Sequence, residues 1–267
     1  MADFGKKIRL RRILRDERGT LVIAFDHPLV LGPIPGTLDP ARQIQRFIEA
    51  KADAILLNLG AIGYFADSIP GGDVPGLIAR LDWTTAFNDS AKLSPNGFQT
   101  CLVAHPEDAL RAGADAVITF LFVGSGDADF EKKEVQRVGE LARECERSGI
   151  PLIVESLARG ASVQNPRDPK WLMLHTRMAA ELGADVIKTE NAEDVETMRK
   201  VVSACPVPIL VLGGTRSGSD EEVLSVVHAI VQSGAAGVFF GRNIFQADDM
   251  PKLLARVRAE LAAKTFP

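Results

Sequence analysis

Short, almost wholly apolar runs recur along the chain, and each is followed by a segment whose charged residues return at helical spacing. The runs lack the polar alternation of a half-exposed sheet, so they indicate parallel strands that helical crossovers cover on both faces. We predict eight strands, at residues 21–26, 53–58, 77–82, 116–122, 151–157, 185–190, 208–213 and 237–241.

The segments between these strands predict helices, because acidic residues or proline open several of them and glycine follows most of them. The helices are predicted at residues 39–51, 106–112, 129–148, 169–182, 192–203, 220–233 and 248–264. The phrase Gly-Ala-Asp at 113–115 returns at 183–185, each time at the turn from a helix into the next strand. Residues 83–99 form no such unit, and we predict a long loop or lid there.

Eight strand–helix units in about 250 residues predict a single-domain α/β fold, the (β/α)8 TIM barrel, over residues 19–267. Residues 1–18, which alternate basic with acidic residues, are expected to be an N-terminal extension. The alternative is a doubly wound open sheet, which would want a glycine-rich turn after the first strand. That turn reads Asp-His-Pro-Leu-Val-Leu-Gly-Pro at 26–33, and the chain contains no G-x-G-x-x-G, so the barrel is favoured.

Composition and charge narrow the class of protein. Hydrophobic residues make up 46% of the chain and charged residues 25%, which disfavours a disordered protein or a disulfide scaffold. A net charge of -4 without a dense Lys/Arg block argues against nucleic acid as a partner. Three widely spaced cysteines, no signal-peptide core and no membrane-length apolar run predict a cytoplasmic protein without a membrane partner. The four histidines lack metal-ligand spacing, so no metal or other cofactor is predicted.

One lysine lies in an otherwise apolar predicted strand. In a TIM barrel the C-terminal ends of the strands surround the active site, so a polar side chain there is a candidate for chemistry. Val186, Lys188 and Glu190 share one face of the sixth strand, because strand side chains alternate. A lysine that faces the interior must be paired or have a lowered pKa, and only the free amine attacks a carbonyl to form an imine. Position alone leaves both an imine-forming lysine and a buried salt bridge open.

Acids and an arginine end the neighbouring strands. Asp26 ends the first strand, Arg80 and Asp82 share a face of the third, and Glu155 is placed toward the centre on the fifth. Asp26 and Glu155 can carry protons to and from a bound intermediate, so we predict them as catalytic residues beside Lys188. Arg80 and Asp82 are predicted to contact the substrate. The alternative is a charge-balanced structural cluster, and charge balance does not decide between the two.

Glycines end the last two strands, in Leu-Gly-Gly-Thr at 212–215 and Phe-Gly-Arg at 240–242. Barrels commonly bind phosphate in these loops, because glycine lets backbone N–H groups approach the oxygens and arginine adds a charge-assisted pair. The predicted phosphate site is Gly213, Gly214, Thr215, Gly241 and Arg242. Simple turn chemistry is the alternative. His27, the histidine nearest the barrel mouth, is predicted to contact the substrate.

Four stretches together resemble a known family. They are Ile-Ala-Phe-Asp-His at 23–27, Val-Ile-Lys-Thr at 186–189, Leu-Gly-Gly at 212–214 and, most specific, Gly-Arg-Asn-Ile-Phe-Gln at 241–246. They resemble the archaeal-type class I fructose-bisphosphate aldolases, which belong to the DeoC/LacD-like aldolases, and the likeness runs from about residue 19 to the C-terminus. The resemblance implies that Lys188 is the Schiff-base lysine, that Asp26 is an acid/base residue, and that Gly214, Gly241 and Arg242 bind phosphate.

Three stretches depart from the family. Its Trp-x-Tyr-Pro-Arg-Gly run becomes Glu-Ser-Leu-Ala-Arg-Gly at 155–160, so that Leu157 stands in place of the proton-donating tyrosine. Its His-x-Asn-x-Gly becomes Phe-Leu-Phe-Val-Gly at 120–124, and the loop after the first strand loses a glycine and a histidine. We therefore expect the imine and phosphate machinery to be kept, the rest of the substrate site to be rebuilt, and Glu155 with Asp26 to take over the tyrosine's proton transfer.

These predictions describe a class I, Schiff-base aldolase, which is a carbon–carbon lyase, acting on a phosphorylated ketose or ketone. The resemblance also implies a homo-oligomer. One alternative is a transaldolase-like or thiolase-like transfer, which product analysis with and without an acceptor aldehyde would separate from cleavage. The other is a non-catalytic barrel that binds a phosphorylated ligand, which predicts thermal stabilisation by the ligand without a trapped imine.

Overall fold

The computed structural model describes residues 4–15, 18–66, 74–87, 97–216 and 218–263. Eight parallel strands close into a barrel in the order β1, β10, β9, β8, β7, β6, β3, β2, which confirms the predicted TIM barrel. The barrel strands are β1 Thr20–Ala24, β2 Ala54–Asn58, β3 Gly76–Arg80, β6 Ala116–Val123, β7 Leu152–Ala158, β8 Val186–Thr189, β9 Ile209–Leu212 and β10 Gly237–Phe240. Each lies within two residues of its predicted bounds, because a strand covered on both faces is apolar along its whole length.

Helices occur throughout the described part of the chain, and most of them follow a strand on the outside of the barrel. They are α1 Phe4–Ile13, α2 Pro28–Leu31, α3 Pro40–Glu49, α4 Leu59–Phe65, α5 Pro106–Arg111, α6 Ala128–Ser148, α7 Pro169–Glu181, α8 Val195–Ala204, α9 Asp220–Gln232, α10 Arg242–Phe245 and α11 Met250–Ala262. Asp127, Asp194 and Ser219 accept hydrogen bonds from backbone N–H groups of the first turns of α6, α8 and α9, and α8 begins three residues later than predicted.

Helix α1 closes the N-terminal end of the barrel, although the sequence predicts only an extension there. Ile13 is fully buried against the apolar side chains of the barrel interior, with Leu10 and Leu14 packed beside it. Lys6 pairs with Asp185 at 3.0 Å, and Arg12 pairs with Asp115 at 2.8 Å.

The aspartates of the repeated Gly-Ala-Asp phrase have a second structural role at this end of the barrel. Asp185 accepts a hydrogen bond from the backbone N–H of Leu152, and Asp115 accepts one from that of Leu77. Each aspartate therefore ties its own strand to a neighbouring strand while it holds α1. The phrase recurs because the barrel repeats this junction.

The third strand is shorter than predicted. It ends at Arg80, and Asp82 begins a two-stranded antiparallel hairpin of β4 Asp82–Thr84 and β5 Thr100–Leu102. Its first arm overlaps the start of the segment predicted as a loop or lid at 83–99, and its second arm begins directly after that segment. Residues 88–96 of that segment lie outside the described residues.

Strand side chains alternate between two packing layers. Val186 and Ile153 point into the apolar barrel interior, whereas Ile187 and Val154 pack in the outer layer beneath the helices. The inward set begins with apolar side chains near α1 and continues into charged ones at the C-terminal ends of the strands. No helix in the described part of the chain is long and apolar enough to cross a membrane.

Candidate active site

A cavity of about 480 Å³ opens at the C-terminal ends of the barrel strands. Ten of the predicted site residues line it: Asp26, His27, Arg80, Glu155, Lys188, Gly213, Gly214, Thr215, Gly241 and Arg242. They come from six of the eight strands or from the loops directly after them. The closed barrel brings their strand ends together, and this is why residues far apart in sequence share one cavity.

Lys188 and Glu155 form the centre of the cavity. They are paired residues in the parallel register of β7 and β8, so their side chains leave the sheet on the same face. Lys188 Nζ lies 2.8 Å from Glu155 Oε1, and both side chains are buried. The amine also lies 4.6 Å from the centre of the Phe239 ring. The amine is therefore paired with a carboxylate, and the pair can exchange a proton directly.

Arg80 links the two candidate acids. Its Nε lies 2.9 Å from Asp26 Oδ2, and its Nη2 donates a short hydrogen bond to Glu155 Oε2. The guanidinium carbon lies 3.9 Å from the centre of the Phe120 ring, and Arg80 is fully buried. A guanidinium held between two carboxylates over an aromatic face has little freedom to turn. Arg80 therefore fixes the position of both acids relative to Lys188.

The electrostatics of the cluster keep both carboxyl groups ionised. Burial alone would raise the pKa of Asp26, but the charges of Arg80 and Lys188 outweigh it and lower that pKa to about 2. Burial is likewise outweighed by Lys188 and Arg80 at Glu155, whose pKa is lowered. Both acids thus enter a reaction near neutral pH as proton acceptors, and can donate a proton only after they have received one.

Asp82 requires a correction. We expected it to contact the substrate, but it is fully buried and does not line the cavity. It lies behind Arg80, 3.3 Å from Nη1, and accepts hydrogen bonds from Thr119 Oγ1 and the backbone N–H of Phe120, both at 2.7 Å. Its position follows from the early end of β3, which places it in the hairpin. Asp82 therefore holds the guanidinium of Arg80 in place.

A second arginine supports this arrangement from outside the barrel. Arg137 of α6 reaches Asp82 at 3.2 Å and pairs with Glu134 at 2.8 Å. Glu134 in turn accepts a hydrogen bond from the backbone N–H of Phe122. The sequence shows Arg137 only as one of many charged residues on a predicted helix, so no local signal marked it.

His27 lies between the acids and the glycine loops. Its Nδ1 is 3.7 Å from Asp26 Oδ1, too far for a hydrogen bond, and this buried nitrogen has no partner among the described residues. Burial lowers the pKa of His27, which favours a neutral ring. A neutral imidazole at the cavity wall can contact a substrate without adding charge.

The glycine loops, which follow β9 and β10, form another wall of the cavity. Gly214 has a φ of +69°, and a side chain at Gly241 would lie 2.4 Å from the His27 ring, so both positions require glycine. Asn243 Nδ2 donates to the carbonyl of Gly213 at 2.8 Å, and this bond ties the two loops together. The loops therefore present their backbone to the cavity from fixed positions.

Arg242 stands beside these loops without a carboxylate partner in the part of the chain that the structure describes. Its buried Nε makes no hydrogen bond there, and burial alone lowers the pKa of this guanidinium. The other cations of the cavity, Arg80, Lys188 and Arg159, each pair with an acid. Arg242 is therefore the cation best placed to receive an anionic ligand.

The structure adds cavity residues that the sequence analysis did not select. Arg159 and Glu190 form a two-bond pair at 2.6 and 3.1 Å on the ends of β7 and β8. Phe87, Phe120 and Leu157 form an apolar wall beside them. Two residues of this set carried a usable signal: strand alternation places Glu190 on the face of Lys188, and Arg159 lies at the end of the run that departs from the family. No group of three metal-ligating side chains occurs within the described ranges.

A family model and two similar proteins match most of this chain. A family model described as DeoC/LacD family aldolase matches residues 20–247. The 2-amino-3,7-dideoxy-D-threo-hept-6-ulosonate synthase of Halobacterium salinarum is 36% identical over 92% of this chain and 87% of its own. The class 1 fructose-bisphosphate aldolase of Thermoproteus tenax is 31% identical over 94% and 92%.

A solved structure points the same way. An archaeal fructose-1,6-bisphosphate aldolase, whose catalytic lysine is covalently bound to the carbinolamine intermediate of its substrate, superposes with a TM-score of 0.84 at 26% identity. The match covers 96% of this chain and 99% of that one.

Proposed function

The chain belongs to the DeoC/LacD family of aldolases, and we propose that Lys188 is the residue on which it holds its substrate as a Schiff base. It is a class I aldolase and therefore a carbon–carbon lyase. The observation that carries the proposal for Lys188 is its place in the cavity, 2.8 Å from Glu155 and facing the glycine loops with the unpaired Arg242. An amine, a proton acceptor and an anion site then lie around one substrate-sized space.

The substrate that fits this arrangement is a phosphorylated ketose or ketone. Backbone N–H groups at Gly214 and Gly241, together with Arg242, would bind the phosphate, because an unpaired guanidinium beside bare backbone suits its oxygens. The carbonyl carbon would then face Lys188. Binding energy from the phosphate would hold the reacting carbon in position for attack.

Glu155 is proposed as the proton carrier of the reaction. In its ionised state it accepts the proton that Lys188 must lose before the free amine attacks the carbonyl. Attack gives a carbinolamine, and Glu155 returns the proton to its hydroxyl group, which leaves as water and gives the iminium. In the cleavage direction a carboxylate then takes the proton of the substrate hydroxyl as the carbon–carbon bond breaks, and the enamine that remains receives a proton back. Asp26, held by Arg80, stabilises the positive charge on the nitrogen.

Reductive trapping tests this proposal directly. The enzyme is incubated with dihydroxyacetone phosphate or another member of a ketose-phosphate panel, treated with borohydride, and digested for peptide mass analysis. We expect the added mass on Lys188, no added mass in Lys188→Arg, and an unchanged result in Lys170→Arg, whose lysine lies on the exposed start of α7. An unmodified Lys188 across the panel would overturn the proposal.

A further inference from the structure

The two sides of the cavity differ in chemistry, and the barrel places them opposite each other. In the closed order of strands, β6 is the fourth strand from β10 in either direction, and β3 is the fourth from β9. The glycine loops and Arg242 follow β9 and β10, whereas Phe120 belongs to β6. A substrate that spans the mouth therefore has one end at the proposed anion site and the other end beside Phe120.

The far end is apolar and aromatic. Phe87 and Phe120 lie with their ring centres 5.7 Å apart, and Phe120 stacks on Phe122 at 5.1 Å. Leu157, fully buried as a residue, extends the same wall from β7. These side chains offer no hydroxyl, amide or charge to a ligand.

The charged groups near this end already have partners. Arg159 is held by both oxygens of Glu190, and Arg80 is held by Asp26 and Glu155. A second phosphate would find no free cation here among the residues that the structure describes. A chain of hydroxyl groups would lose its bonds to water against phenyl and leucine side chains without gaining replacements, which is costly.

From this geometry we propose that the aldehyde joined to or released from the phosphorylated ketone carries an apolar group, aliphatic or aromatic, and no phosphate. The inference rests on the proposed function and names its second reactant. The wall beside Lys188 and Glu155 then acts as the specificity pocket, because the aldehyde carbon must reach the enamine on Lys188 while its substituent occupies the space at Phe87, Phe120 and Leu157.

The carbon–carbon step is balanced within the site. Glu155 removes a proton from the carbon next to the iminium on Lys188, which gives the enamine. The enamine carbon bonds to the aldehyde carbon, the electron pair of the aldehyde carbonyl moves to its oxygen, and that oxygen takes the proton held by Glu155. Water then adds to the new iminium and releases the hydroxyketone phosphate and the free amine.

The test measures aldehyde preference after imine formation has been established. Borohydride trapping with dihydroxyacetone phosphate comes first, and failure there counts against the proposed function rather than against this inference. Addition of dihydroxyacetone phosphate to butanal and phenylacetaldehyde is then compared with addition to glyceraldehyde and glyceraldehyde 3-phosphate. We expect kcat/KM to favour the apolar aldehydes by about tenfold or more. Equal values or a preference for glyceraldehyde 3-phosphate, with trapping intact, would overturn the inference.

Two phenylalanine variants assign the preference to the wall. Phe87 is 39% exposed, so Phe87→Ser is expected to fold, and it should lower kcat/KM for phenylacetaldehyde about tenfold while trapping with dihydroxyacetone phosphate is unchanged. Phe98→Ser is the matched control, because Phe98 packs on Phe122 and Phe130 but does not line the cavity. Loss of the preference in the control alone, or in neither variant, would contradict the assignment.

Discussion

Replacing Glu155 by glutamine tests the proposed role of this side chain as the proton carrier of the reaction. The substitution keeps the size of the side chain and one oxygen, which can face Lys188 or Arg80 but not both, and removes the negative charge that both cations contact. Glu155→Gln should therefore still admit the substrate. It should fail at the step in which a carboxylate takes a proton from carbon.

The size of the effect follows from what the side chain touches. A positioned acid/base group contributes about 10²–10⁴ in rate, or about 2.7–5.5 kcal/mol at about 1.4 kcal/mol per factor of ten. Removing one partner of a buried ion pair costs about 3–5 kcal/mol of stability, and the retained amide oxygen places this variant at the lower end, about 3 kcal/mol. We expect turnover to fall by two orders of magnitude or more in a variant that remains folded.

The assay that isolates this step needs no aldehyde. Exchange of the carbon-bound protons of dihydroxyacetone phosphate in heavy water, followed by NMR, reports enamine formation alone, and borohydride trapping reports imine formation. Asp53→Asn is the control, because Asp53 is also a buried acid paired with arginines but precedes β2 at the other end of the barrel and does not line the cavity. It should lose stability and keep its exchange rate. Exchange at the wild-type rate in Glu155→Gln, with Lys188 still trapped, would refute the role of Glu155 and point to Asp26.

Three further outcomes test the site and the fold. Because the pKa of Asp26 is lowered from its ordinary 3.8 to about 2, its contribution of about 2 kcal/mol to the free energy of unfolding is present above about pH 4 and is lost as the pH falls toward 2. Urea unfolding at a series of pH values should show this loss, and Asp26→Asn should remove it. Arg242→Gln should raise the KM for dihydroxyacetone phosphate by about 10-fold to 100-fold and leave activity on unphosphorylated dihydroxyacetone unchanged; equal losses on both would exclude a phosphate role. Ile13→Ala should cost about 2–5 kcal/mol in urea unfolding, whereas Ile8→Ala, 58% exposed on the same helix, should cost under about 0.5 kcal/mol.

The sequence pattern predicts the barrel well because each strand–helix unit shows the same local features. An apolar strand covered on both faces, a capped helix and a glycine turn are all visible within a window of a few residues. Helix α1 was missed because its function is not local. Its lysine and arginines look like a solvated extension until the aspartates of the Gly-Ala-Asp phrases, more than 100 residues away, are brought beneath them.

The distinction between local pattern and long-range contact also separates the site residues that were predicted from those that were not. Alternation along one strand placed Lys188 and Glu155 on inward faces, and the closed barrel needed only to bring those faces together. Asp82 was misplaced because its role depends on where β3 ends, which is at Arg80, two residues before it. Arg137 was missed because it reaches Asp82 from an outer helix, a contact set by packing and not by spacing.

Leu157, which stands where the family has a tyrosine, and the ionised Glu155 belong to one arrangement of side chains. A row of paired residues crosses β6, β7 and β8 in the order Phe120, Glu155, Lys188, so the proton acceptor lies directly between the aromatic wall and the amine. A carboxylate can remain ionised against an apolar wall only if cations hold it, and Arg80 and Lys188 do so from either side. Because these cations take up both of its oxygens, Glu155 keeps its place whether the neighbouring space is wet or filled by an apolar substituent. An aldehyde that excludes water from this wall would strengthen the same contacts, so the group expected to set specificity would also hold Glu155 in position for the reaction.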